Sequence, residues 1–191
     1  MAKPSKTQMD RRLNILFSLA IVLILGIVYT GKYHVDISVP NTSRVGDRLA
    51  FAVRWLILSL VPLVFGVIVV ARTRHRNLET AGYDPTLPVS QKIVDFRQRA
   101  LQNTLEQTLI HVVVILAIST YQEGEDLKII PILVFVFFCG RVIFYIGYLA
   151  TDNALNRGMG FTMTFLPNVL GTLYCVYSLY ARGPSAGIPS E

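Results

Sequence analysis

The sequence predicts an all-α fold, a polytopic membrane helix bundle of five spans. Three observations predict it. Of 191 residues, 52% are apolar and only 16% are charged, whereas a soluble domain carries about 25% charged residues. Five apolar stretches reach the length of about 20 residues that a bilayer crossing needs. Lys and Arg collect in alternate connections between those stretches, as they do in multi-pass membrane proteins. Together these exclude a disordered chain, a coiled coil and an ordinary cytosolic enzyme. The net charge is +6, and beside so much apolar sequence it points to the cytoplasmic face of a membrane rather than to nucleic acid. The only two cysteines, Cys139 and Cys175, lie inside apolar runs, which argues against a disulfide framework, a zinc site or a CxxC redox pair.

The spans are expected at residues 13–30, 49–71, 104–121, 129–150 and 160–181. The first follows Lys3, Lys6, Arg11 and Arg12 and imitates a signal peptide. Its apolar core is longer than a usual h-region and no A-x-A-type cleavage site follows, so it reads as an uncleaved anchor. The third is expected to be the weakest, since Asn103, Glu106 and Gln107 occupy its first turns. Between the second and third spans, residues 72–98 carry Arg72, Arg74, His75 and Arg76, then the turn signals Gly82, Pro85 and Pro88. An irregular connector resting near anionic headgroups is expected there; the alternative is a solvated loop whose charge only sets topology. Residues 182–191, rich in Pro, Gly and Ser, read as a flexible tail.

With a cytoplasmic N-terminus (residues 1–12), eleven Lys and Arg fall on the cytoplasmic side and five on the other, as the positive-inside rule requires. Residues 31–48 then form a lumenal loop. The acidic stretch 123–126 and the sequon Asn41-Thr42-Ser43, a candidate glycosylation site, fall on the lumenal side too.

Charged groups within spans need a partner, water or a function. At about 100° per residue, Arg99, Asn103 and Glu106 lie at roughly 0°, 40° and 340°, on one face of the third span; Arg141, Tyr145 and Tyr148 repeat that spacing on the fourth. Arg141 is expected to face the bundle interior and pair with Glu106. With Arg157 the group would form a polar pocket open to the cytoplasm and suited to a small anion bearing carboxylates, which guanidinium groups bind bidentately. The alternative is a structural ion pair that fixes helix register. His111, four residues after Gln107, reads as a hydrogen-bonded interior histidine; no second His or Cys stands at metal-ligand spacing, and no metal site is expected.

The string Arg99-Ala-Leu-Gln-Asn103-Thr-Leu-Glu106 resembles the R-A-x-x-N-x-x-E motif of the MAPEG family, the membrane-associated proteins in eicosanoid and glutathione metabolism. Arg141-Val-Ile-Phe-Tyr-Ile-Gly147-Tyr148, with Arg157 nine residues on, resembles its R-x(5)-[GA]-Y…R pattern. The resemblance implies a four-helix core (residues 49–181) plus one extra N-terminal helix, assembly as a homotrimer, and glutathione bound between subunits on the cytoplasmic side. It places Arg99, Asn103, Glu106, Arg141 and Tyr148 at glutathione-binding positions and Arg157 at the position that stabilises the thiolate in enzymatic members. Four positions depart from the enzymatic pattern: Leu101 replaces a His or Gln, Phe96 an Arg, Phe144 a Tyr, and Gly158 a Ser. The extra span and the stretch from Arg157 to Pro167 resemble the mattrin-type, five-span branch.

Two functions follow from the resemblance. One is a non-catalytic endomembrane protein (ER, Golgi or lysosome) that acts in trafficking or partner regulation, keeps a glutathione-like anion pocket and uses the 72–98 loop for a partner. The alternative is a glutathione-dependent transferase or peroxidase acting on lipophilic substrates. A channel or transporter is weaker, because Pro62, Pro131 and Pro167 do not mark paired half-helices.

Overall fold

A computed structural model describes residues 6–40, 44–76, 91–149 and 157–186. Five helices follow one another: α1 (Lys6–Tyr33), α2 (Val45–Arg76), α3 (Gln91–Tyr121), α4 (Ile129–Leu149) and α5 (Gly158–Arg182), with a short 3-10 segment (Gly124–Lys128) between α3 and α4. Each helix is long and apolar enough to cross a membrane. In hydrocarbon no water satisfies the backbone, so helices that bond within themselves are the form an apolar chain takes. The third and fifth spans are the two least apolar; the buried side of the fifth carries Thr162, Thr164, Asn168 and Ser178. Both α2 and α5 stay helical through Pro62 and Pro167.

All the helices but α4 overrun the expected spans. The N-terminal end of α3 includes Arg99 and Asn103, and helix occupies both ends of the 72–98 stretch that hydropathy alone left as an irregular connector, since α2 runs to Arg76 and α3 starts at Gln91. The middle of that stretch, the sequon at Asn41 and the asparagines at 153 and 156 lie outside the described residues.

Helices α2 to α5 form the core, and α1 packs outside it against α4 and α5. Ala20 is the one buried residue of α1. Leu13 lies against Gly158 at the start of α5, and Gly31 against Ile132 in the first turns of α4, so α1 runs antiparallel to α4. Helices α4 and α5 cross with their backbones close together. A Cβ on Gly160 would stand 2.3 Å from the Phe144 nitrogen and 2.5 Å from the Gly140 oxygen. Small residues at such points let two backbones approach closely, which is a main source of attraction between helices in lipid.

One apolar cluster, including Leu56, Ile115, Leu127 and Val134, fills the end of the bundle near the 3-10 segment. Gly124 starts that segment at φ +52°, a conformation glycine adopts without strain. Arg48, placed by hydropathy in a loop, is the fourth residue of α2 and fully buried. Its Nη1 donates to Glu123 Oε1 at 2.9 Å and to the Gln122 carbonyl at 3.0 Å. Gln122 in turn donates from Nε2 to the Tyr174 hydroxyl at 2.9 Å. The Glu123 side chain is 55% exposed, so water can replace its half of the pair. Glu123→Gln is therefore expected to lower unfolding stability by less than about 1 kcal/mol. Arg48→Ala leaves a cavity and an unsatisfied carbonyl, and about 3 kcal/mol is expected, read by thermal unfolding in detergent.

Candidate functional site

Phe137, Arg141, Phe144 and Tyr148 recur at intervals of four, three and four residues, so they line one face of α4. They form a column of rings and cations. The Arg141 Cζ lies 5.6 Å from the Phe137 ring centre and 4.7 Å from that of Phe144. Phe144 stacks on Tyr148 at 5.6 Å, and Tyr148 on Phe96 of α3 at 4.1 Å. His111 stacks on Phe137 at 4.2 Å at the other end, and the exposed Arg157 places its Cζ 5.4 Å from the Tyr148 ring centre.

Arg141 is fully buried. Its Nη1 donates to Asn103 Oδ1 at 3.0 Å, its Nη2 donates to the Thr164 hydroxyl, and its Nε has no hydrogen-bond partner among the described residues. The pairing of Arg141 with Glu106 does not occur. Glu106 is exposed and accepts a hydrogen bond from Gln102 Nε2 at 3.0 Å. Helical geometry explains the difference. The buried face of α3 carries Ala100, Thr104, Gln107 and His111. Asn103 lies roughly 60° from Ala100 around the helix, while Arg99 and Glu106 lie roughly 100° and 120° away, past the edge of that face. The three residues do share a face, but the boundary between core and surroundings runs through it. Among the described residues no carboxylate forms an ion pair with Arg141.

The six predicted site residues therefore divide. Arg141 and Tyr148 are inside, Asn103 is half-buried and bonded to Arg141, and Arg99, Glu106 and Arg157 are exposed. Two contacts link members of the set, Arg141 with Asn103 and Arg157 with Tyr148. Arg157 is also the N-cap of α5, where unpaired backbone N–H groups and the helix dipole favour negative charge.

A second buried polar group adjoins this one. His111 Nδ1 donates to Asn168 Oδ1 at 3.0 Å, and Asn168 Nδ2 donates to the Gln107 carbonyl at 3.2 Å. His111 is thus an interior hydrogen-bonded histidine, with Asn168 linking it to Gln107. Sequence reasoning missed Thr164, Asn168 and the stacking role of Phe96. Polar residues inside the fifth span were the available signal for the first two; for Phe96 there was none.

The departures from the enzymatic motif have a structural meaning. Phe96 and Phe144 both stack with Tyr148, which is 2% exposed. Two positions at which enzymatic members carry polar groups here build an apolar stack.

The MAPEG family model matches residues 49–177. Among curated proteins, Transmembrane protein 79 of Bos taurus is 21% identical over 167 residues, 86% of this chain and 40% of that protein. Its Mus musculus counterpart is 20% identical, over 86% of this chain and 41% of its own length. The chain thus spans about two fifths of the length of these relatives, which are of the mattrin type that the extra span and the 157–167 stretch resemble. No solved structure matches. The matched segment contains the four core helices almost entirely, and the chain is a multi-pass membrane protein of the MAPEG family.

Proposed function

We propose that this protein is a non-catalytic, mattrin-type member of the family that binds a glutathione-like anion at one end of the bundle and acts in endomembrane trafficking or partner regulation. The observation that carries this reading is the enclosed Phe96–Tyr148–Phe144 stack, which replaces polar groups that turnover would use with packing. The exposed groups still suit the ligand. Arg99 and Arg157 offer guanidinium groups to two carboxylates, and Glu106 offers a carboxylate to an amine. Arg141 acts as a positioning residue, holding Asn103 and Thr164 from inside. The Arg99 and Glu106 flank of α3 is exposed in the single chain, which suits a homotrimer whose next subunit completes the site.

The end bearing Arg72, Arg74, Arg76, Arg97, Arg99 and Arg157 is the basic one. In our reading it faces the cytosol, with the N-terminus on the same side, in the membrane of the ER, Golgi or lysosome. A protein partner would engage the connection between α2 and α3.

A second reading, a glutathione transferase or peroxidase acting on lipophilic substrates, is favoured by one feature. Arg157 lies at the N-terminus of α5, where cation and helix dipole together would favour a thiolate.

Glutathione titrated into the purified full chain in detergent tests both. Saturable millimolar binding, lost on Arg99→Ala and weakened by Arg157→Ala, is expected. No ultraviolet thiolate signal and no conjugation of a model electrophile is expected under the first reading, and either signal would favour the second. Absence of saturable binding would remove the anion pocket from both. Arg157→Ala is expected to leave localisation and partner recovery intact.

A further inference from the structure

The ends of α2, α3 and α4 border an open pocket of about 200 Å³ lined by Val69, Arg72, Thr73, Arg76, Arg97 and Leu149. We infer that this pocket binds a phosphate group, and that its source is the headgroup of an anionic phospholipid. The site uses none of the residues in the glutathione reading, so either can fail alone.

Its walls are two kinds of surface. Three guanidinium groups line the pocket, and among the described residues no carboxylate does. Arg72 and Arg76 are four residues apart, so they point from one face of α2. Arg97 reaches across from α3 and donates from Nη1 to the Thr73 hydroxyl, which itself donates to the Val69 carbonyl at 2.6 Å. Thr73 is 1% exposed. One of the three cations is thereby held in place by a buried hydroxyl instead of moving freely in solvent. A phosphate presents several oxygens to which guanidinium forks match, each bond being charge-assisted.

The remaining lining, Val69 and Leu149, is apolar. Both stand where a membrane-crossing helix nears its basic end. A ligand there meets cations on one side and hydrocarbon on the other, which fits an amphiphile better than a free ion. Arg74 supplies an internal control. It belongs to the same basic run, but its Nη2 donates to Gln98 Oε1 at 3.4 Å and it does not line the pocket.

The test uses the full chain in phosphatidylcholine nanodiscs with or without phosphatidic acid, and lipid retention read by native mass spectrometry. Retention of phosphatidic acid over phosphatidylcholine is expected. Arg72→Gln with Arg76→Gln is expected to weaken it about tenfold or more, while Arg74→Gln changes it less than about twofold. Unchanged thermal unfolding without phosphatidic acid shows that these exposed substitutions leave the fold intact. Equal losses for the Arg74 variant and the Arg72 and Arg76 pair would mean diffuse surface charge, and would overturn the proposal. So would retention of both lipids alike. Displacement by millimolar inorganic phosphate would keep the phosphate site but overturn the lipid as its source; persistence of the lipid against it supports the lipid.

Discussion

Gly160→Leu is expected to give one of the largest losses of stability in the bundle. Even the first carbon of a side chain at that position would stand 2.3 Å from the Phe144 nitrogen and 2.6 Å from its Cα. Both atoms belong to the backbone of α4 and cannot rotate away. The two helices must separate, and their close contact at Gly140 and Gly160 is lost. Overpacking in a well-packed core ordinarily costs about 1–3 kcal/mol. Because the obstacle here is backbone, about 3 kcal/mol or more is expected. Thermal unfolding of the purified protein in detergent reads it. Gly26→Leu is the control, since a Cβ there meets nothing within 4 Å, and it is expected to unfold within about 0.5 kcal/mol of the parent. Equal stability of the Gly160 and Gly26 variants would mean that α4 and α5 do not cross as described.

The second large effect concerns Arg141. Truncation to Ala removes the side chain between Phe137 and Phe144 and strips the hydrogen-bond donors from Asn103 and Thr164. A loss of about 3–5 kcal/mol is expected from the cavity and the unpaired groups together. Arg141→Met separates volume from charge. Burying an ion has a large desolvation penalty, so an apolar residue of similar volume is often neutral or stabilising. Arg141→Met still leaves Asn103 and Thr164 without their donor, so it is expected to unfold about 1–2 kcal/mol below the parent, less than the alanine variant, and yet to lose glutathione binding if Arg141 positions Asn103 for it. A methionine variant as unstable as the alanine one would make the cation itself structural. Full binding by a stable methionine variant would remove Arg141 from the site.

The difference between these two positions shows which features can be read from a sequence. The crossing at Gly160 depends on which helices are neighbours. Hydropathy and helical period do not specify neighbours, and Gly160 looks like any other glycine of the fifth span. Arg141 was conspicuous because a cation in an apolar run is costly. Its inward orientation was expected and is found. Its partner was not, because a carboxylate was assumed where an amide and a hydroxyl serve. Thr164 could not be chosen from the several polar residues of α5 until α4 and α5 were seen to touch.

The sequence by itself determined the five crossings, the all-α class, the buried Arg141 and His111, and the family. The family came from the resemblance of two motifs to a known pattern; the rest follow from composition and local periodicity. Tertiary structure alone decided that α1 lies outside against α4 and α5, that Glu106 faces away from Arg141, that Phe96 closes over Tyr148, and that Arg72, Arg76 and Arg97 converge. The physical reason is the same throughout. Transfer from water to lipid acts on each segment separately and is written in its residues. Which faces meet depends on close packing between segments far apart in the chain, and a difference of some 60° around one helix separates a half-buried amide from an exposed carboxylate.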